Sequence, residues 1–418
     1  VADPIEEVFR REAGRCTATL IRVLGDIDLA EDAIGEAFAI AVEQWPTQGL
    51  PPNPGGWITT TARNRAIDRL RREATRTERY VAAHRLQVDD MDTDHDPELD
   101  DLDSFVDVVA DDQLRLMFLC CHPALAADAQ VALTLRLLGG LDTTEIASAF
   151  LMPEPTLAQR IVRAKRKLRV NHAPYRVPRA AELPDRLHVV LATVYLIYTE
   201  GHTATSGDTL TRVDLSQEAV RLGRLLAELM PDEPEAVGLL ALMLLTEARR
   251  PARTAPDGSM IRLAEQDRRR WDPVLVAEGH GLVRACLRRN EPGPFQFQAA
   301  IAAVHAAATT AGATDWSQIV ALYDQLYAAR PNAVVALNRA VAVGELDGAP
   351  AGLAALASLD PAALDGYQPY HAARADLLAR TGDRDAAIAA YDQALELTAN
   401  PAERRFLQAQ RDAAAGRA

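Results

Sequence analysis

Thr156, Arg160, Arg163 and Lys167 recur at i, i+4, i+7 and i+11, with Gln159 beside them, so one helix face would present a hydroxyl, an amide and three cations. That set suits the DNA major groove, where arginine pairs bidentately with guanine, glutamine with adenine, and threonine reaches a methyl or a phosphate. Leu157, Ile161, Ala164 and Leu168 fall on another stripe and predict an inward face. A basic amphipathic helix with a merely solvated face is the competing reading. The flanks favour DNA: Gly139-Gly140 stops the preceding helix, and Asp142 with Glu145 has capping-box spacing for a short one. Pro153 then forces a turn and Pro155 suits the start of a second helix, which predicts a helix-turn-helix.

A second constellation lies in WITTTARNRAIDRLRRE, from Trp57 onward. Ile58, Ala62, Ala66 and Leu70 predict a buried stripe, leaving Trp57, Thr61, Asn64, Asp68 and Arg71 on the other side. An aromatic ring, an amide and arginines make a platform for splayed-out bases and phosphates. Packing of Trp57 under the proline-rich segment before it explains that residue without DNA.

Other residues look chemical and fit blander roles. Cys120-Cys121-His122 cannot all face one ion from adjacent helical positions, and no second ligand pair completes a tetrahedron, so packing at a helix end accounts for them. Glu200-Gly201-His202 and Asp257-Gly258-Ser259 read as glycine-containing turns between helices. No Walker loop, dinucleotide fingerprint or convergent acid, base and nucleophile set is present. The expectation is a protein without catalytic site, cofactor or metal.

Helices must position both faces. Residues 1–83 read as a helical unit, interrupted by a Pro- and Gly-rich loop over 46–56; residues 84–112 hold twelve acidic residues against one arginine and predict a solvated linker. Helical patterning returns over 113–172, a proline-containing linker follows over 173–186, and 187–418 is helical almost throughout. GDRDAAIAAYDQAL from Gly382 has the small, aromatic, small spacing of a tetratricopeptide-like hairpin.

In 418 residues, 48% of them apolar, there is material for two or three cores, and no apolar stretch is long enough to span or enter a membrane. Four cysteines without a CxxC pair predict a reducing cytoplasm rather than a disulfide framework. The formal charge of -14 argues against nucleic acid until it is located. The acidic excess falls in the linker and the C-terminal half, whereas both candidate DNA helices are locally basic, and the only two lysines, Lys165 and Lys167, lie at the end of the second. The free protein should bind DNA weakly.

Taken in order, these motifs resemble an extracytoplasmic-function sigma factor of the sigma-70 family over residues 1–172. LAEDAIGEAF, from Leu29 to Phe38, is similar to the core-binding helix of region two; Trp57 to Arg72 resembles the adjoining segment that opens and reads the minus-ten element; the helix-turn-helix resembles region four, reader of the minus-thirty-five element. The resemblance implies that Asp32, Glu36 and Phe38 meet core RNA polymerase. It also implies that Trp57, Thr61, Asn64, Asp68, Arg71 and Arg72 meet minus-ten DNA, with Asn64 near a flipped base, and that Thr156, Gln159, Arg160, Arg163 and Lys167 meet minus-thirty-five DNA. The alanine-rich C-terminal half, with LCCHPAL before it and ERRFL near its end, is similar to the sigma group bearing a tetratricopeptide-like extension. Gly35 and Leu151 depart from the usual pattern, which has a longer polar residue and glycine there.

The expected fold is therefore all-α: two small helical sigma domains joined by an acidic linker, then a helical repeat domain. The expected function is promoter-specific initiation with core polymerase and promoter DNA as partners, the repeats contacting polymerase or a regulatory protein. The rival expectation is a ligand- or partner-responsive helix-turn-helix regulator, which would bind duplex DNA tightly without polymerase.

Overall fold

Apolar residues spaced three or four apart, on a chain rich in alanine, close into helices, and among the described residues the only extended pairing is an isolated bridge between Thr254 and Met260. The structure is a computed structural model and describes residues 4–82, 112–150, 152–203, 211–256, 258–360, 364–398 and 400–416. No helix among them is long and apolar enough to cross a membrane. The chain divides into two compact units, Val1–Thr193 and Val194–Ala418, and the division falls inside one helix.

The first unit opens with α1 (Pro4–Leu24), α2 (Ile27–Gln48) and α3 (Pro54–Ala82), packed pairwise on one another. Gly25 takes a positive φ of 70° to turn α1 into α2, and Asp26 caps α2 by accepting from the Leu29 N–H at 3.0 Å. Leu20, Ala30, Ala37, Ala41, Ile58 and Ala62 are fully buried between the three. The predicted break at Pro46 is displaced: α2 runs through it to Gln48. The carbonyl that Pro46 deprives of a donor belongs to Val42, which is 57% exposed, so water can take its place. Leu70 also departs from the predicted stripe and is exposed.

The described chain resumes at Asp112 in α4 (112–120), followed by α5 (Ala127–Leu137), α6 (Thr143–Ala149) and α7 (Glu154–Val170). The acidic stretch before Asp112 lies outside the described residues. Asp112 itself, grouped with the linker by its charge, is buried and accepts from Arg22 at 2.8 Å and Arg115 at 3.2 Å. The Tyr175 hydroxyl lies 2.7 Å from the Ala18 carbonyl and 3.0 Å from that of Asp112. At Gly14 a Cβ would stand 2.5 Å from the Leu138 carbonyl oxygen, so only glycine lets α1 meet the end of α5 this closely.

Next, α8 (Leu183–His202) contributes Leu187, Val190 and Leu191 to the first unit, where Arg186 also donates to the Phe118 carbonyl. In the second unit α9 (Val213–Leu229), α10 (Pro234–Glu247), α11 (Pro273–Arg289), α12 (Pro294–Ala307), α13 (Trp316–Ala329) and α14 (Ala333–Leu346) pack on their chain neighbours, and α10 also packs extensively on α12. Packing on chain neighbours also holds for α15 (Ala349–Ala357), α16 (Gln368–Thr381), α17 (Arg384–Leu397) and α18 (Pro401–Ala414), so helical hairpins stack in sequence. Helix α10 is buried on nearly every side and forms the centre of the first hairpins. Ala387, Tyr391 and Ala394 are buried between α17 and its neighbours, as the small, aromatic, small pattern predicts.

Candidate nucleic-acid interface

The helix-turn-helix is built by the residues that signalled it. Asp142 N–H donates to Glu145 at 2.8 Å and Glu145 N–H donates back to Asp142 at 2.7 Å, closing a reciprocal capping box worth about 1 kcal/mol. Pro153 and Pro155 flank the first residue of α7. Leu157, Ile161, Ala164 and Leu168 are buried, which fixes the rotation of α7 and turns the polar stripe outward. Leu151 lies outside the described residues.

On that outward stripe Thr156, Gln159, Arg163 and Lys167 are exposed, and Arg163 donates to Gln159 at 2.9 Å. Thr156, Arg160, Arg163 and Lys167 line one recess of about 260 Å³ whose other wall is Leu125, Ala126 and Asp128, from the start of α5 and the turn before it. Arg160 is only half-exposed because its guanidinium is 2.9 Å from the Asp128 carboxylate. A phosphate or base edge would have to displace that acid.

Helix α3 presents Asn64, Asp68, Arg71 and Arg72 to solvent, with Thr61 and Trp57 partly covered; the Arg72 Nε donates to the Asp68 carbonyl at 3.1 Å. Trp57 packs edge-on against Trp45, 5.3 Å between centroids, so its ring rests on the end of α2. Thr59 Oγ1 and Cys16 Sγ, 3.3 Å apart, tie α3 to α1, and both lie close to the Gly55 carbonyl.

On α2, Asp32 and Glu36 are both exposed, and Asp32 lies 3.0 Å from Arg69 of α3. Phe38 departs from the expectation: it is 7% exposed and meets Phe9 edge-on at 4.5 Å. Two residues after Glu36 the helical rotation carries the side chain inward, and a buried aromatic is core rather than contact surface.

Charge pairs between α2 and the helix-turn-helix were not legible in the sequence. Lys165 is 2.9 Å from Asp28 and in contact with Glu31; Arg169 is 2.6 Å from Asp28 and 3.5 Å from Asp26; Arg136 is 2.9 Å from Glu31. Burial alone would lower the Lys165 ammonium, but Glu31 and Asp28 outweigh it and hold it above its ordinary value. Burial pulls the Asp28 carboxyl upward, and Lys165 with Arg169 overcomes that and holds it below its ordinary value.

The remaining sequence candidates take structural places. Cys120 and Cys121 are buried free thiols, pushed up by burial, with Cys121 Sγ 3.7 Å from the Thr134 hydroxyl. A Cβ on Gly201 would collide with the Ser216 backbone nitrogen, so Glu200-Gly201-His202 is a close helix approach. Of Asp257-Gly258-Ser259, Asp257 lies outside the described residues and Gly258 turns the chain with a φ of 80°.

Against known families, residues 8–76 match the model of sigma-70 region 2, residues 115–168 that of sigma-70 region 4, and residues 186–287 a family of unknown function, DUF6596. An uncharacterized protein of Rhizobium meliloti (strain 1021) is 39% identical over 94% of this chain and 92% of its own length. The probable ECF RNA polymerase sigma factor SigI of Mycobacterium tuberculosis is 27% identical over 40% of this chain and 54% of its own length. No solved structure matches the chain.

Proposed function

The chain belongs to the extracytoplasmic-function sigma factors of the sigma-70 family and carries a C-terminal helical extension; from that premise we propose that it joins core RNA polymerase and directs it to promoters. In this reading α3 faces the minus-ten element, through Trp57, Thr61, Asn64, Asp68, Arg71 and Arg72. Helix α7 faces the minus-thirty-five element, through Thr156, Gln159, Arg160, Arg163 and Lys167. Asp32 and Glu36 meet polymerase. The observation that carries the reading is the recess on α7, where four of the five residues assigned to base and phosphate contact line one concave surface. The sigma factor acts by binding and needs no catalytic group of its own, and its place of work is the cytoplasm.

Geometry adds a step. The two promoter elements stand about 25 base pairs apart by their names, roughly 85 Å along B-form DNA. Lys165 of α7 touches α2, the neighbour of α3, so this arrangement cannot span both elements. Core polymerase would draw the two halves apart, and the acids of α2 would exchange the cations of α7 for others.

The stacked hairpins of the second unit offer protein-binding surface, and we assign them contact with polymerase or a regulatory protein. Co-purification of the full chain with core polymerase, followed by transcription from a cognate promoter, tests the reading. Tight sequence-specific duplex binding by the chain alone, with no affinity for core, would replace it with a conventional helix-turn-helix regulator.

A further inference from the structure

The segment joining α10 to α11 gathers two cations, Arg249 and Arg268, that form no ion pair with a carboxylate among the described residues. Arg249 follows α10, and Arg268 and Trp271 precede α11; the Asp272 N–H donates to the Ala248 carbonyl at 2.9 Å, which brings the two ends of the segment side by side. The Arg268 guanidinium lies 4.8 Å from the centroid of the Trp271 ring and donates to the carbonyls of His305 and Ala308 at the end of α12 and to the Thr314 hydroxyl, leaving its Nε without a partner. Arg249, Arg268 and His305 are half-buried and Trp271 is 6% exposed.

Four polar atoms of this cluster, Arg249 Nε, Arg268 Nε, Trp271 Nε1 and His305 Nδ1, are buried and find no hydrogen-bond partner among the described residues. Each such group is costly to bury unless something answers it, and four in one place form an unusual concentration. Of the acids close in sequence, Asp267 binds Arg269, and Glu247 binds Arg250 and Ser216 through Oε1 while its Oε2 finds no hydrogen-bond partner among the described residues. His305 is pushed down to about 4 by burial and then by Arg249 and Arg268, the response of an imidazole held beside uncompensated cations. Burial likewise lowers Arg249, and Arg268 lowers it further, with only the Tyr198 ring hydroxyl opposing them.

We propose that Arg249, Arg268, Trp271 and His305 form a binding site for a phosphate-type oxyanion. Two guanidinium charges without a facing carboxylate match a dianion, and an indole N–H and an imidazole add directional donors that a chloride ion cannot fully use. The site lies within the residues that match DUF6596 or on the adjoining helix α12, and gives the extension a small-molecule input separate from promoter reading. Its source is either free inorganic phosphate or the phosphate end of a nucleotide.

Calorimetric titration of the full chain at constant ionic strength tests this, with inorganic phosphate in one arm and adenosine triphosphate in the other. Saturable binding in either arm is expected, weakened about ten- to a hundredfold in Arg249→Met. The His305 ring resonance of the bound form should titrate at higher pH than that of the free form, because an anion favours the imidazolium. Absence of saturable binding in both arms, or equal binding by wild type and a folded Arg249→Met, overturns the proposal. Trp271→Phe, which keeps the ring and removes one donor, gives a second variant should Arg249→Met fail to fold, with several-fold weakening expected and unchanged affinity counting against the site.

Discussion

Lys165 Nζ lies 2.9 Å from Asp28 Oδ1, so a cation of the helix-turn-helix is held by an acid from the first turns of α2, 137 residues earlier in the chain. Arg169 and Arg136 repeat the relationship with Asp28 and Glu31. The first unit is thereby closed by charges that sit beside the candidate polymerase face and next to the candidate DNA face. Lys165 and Arg169, which hold α7 to α2, are not the residues assigned to DNA, so closure restrains α7 as a body and leaves its reading face, Arg160, Arg163 and Lys167, unpaired with α2.

Replacing the acids and sparing the cations should favour the open form. Asp28→Asn with Glu31→Gln is expected to raise affinity for a minus-thirty-five duplex in the absence of polymerase by about three- to tenfold, given that partly exposed pairs contribute up to about 1 kcal/mol each. Fluorescence anisotropy with labelled duplex measures this. An unchanged affinity would mean that the pairs do not restrain α7.

The closure should also depend on pH, with a sign fixed by its two ends. Asp28 is depressed in the folded state, so its contribution is present above the ordinary carboxyl value of 3.8 and is lost as pH falls through the lower folded value. Lys165 is raised, so its contribution is present below 10.5 and is lost as pH rises through the higher folded value. Energy transfer between labels on α2 and α7 should therefore stay flat across neutral pH and fall only toward strong acid or strong base.

Arg160→Ala and Arg163→Ala separate base reading from phosphate anchoring. A base reader should lose roughly 1 to 3 kcal/mol of discrimination at one promoter position, while a phosphate contact should weaken all upstream sequences alike. Transcription from a panel of singly substituted promoters distinguishes them. Arg160→Ala should in addition lose part of its effect when combined with Asp128→Ala, since each arm of that 2.9 Å pair restrains the other.

Phe38→Ala and Asn64→Ala should fail in different ways. Removing the Phe38 ring from its place against Phe9 is expected to cost about 3 to 5 kcal/mol of folding stability, visible as a lowered Tm. Asn64 is exposed on α3, so Asn64→Ala should leave Tm unchanged and reduce strand opening around minus ten, read by permanganate footprinting.

Local signals survived best on the way from sequence to structure. The cap at Asp142 and Glu145, the prolines before and within α7 and the four-residue apolar stripe each depend on neighbours within a turn or two, and all took the expected form. Phe38 was misplaced because membership of a helical motif does not give the rotation of one side chain, which Phe9 decides from another helix. Pro46 did not end α2, because the lost hydrogen bond falls on the solvent side. The pairing of Lys165 with Asp28 was invisible for a deeper reason: long-range charge contacts leave no periodicity, and opposite charges far apart in a chain are common.

The meeting of Gly14 with the Leu138 carbonyl makes the closed form a question of steric permission. Ion pairs can weaken by degrees, whereas a backbone-to-backbone seat admits no methyl group at all. Any relative bearing a side chain at this position is barred from the same seating whatever its charges, so one column of a future family comparison could sort factors that close on themselves from those that stand permanently open.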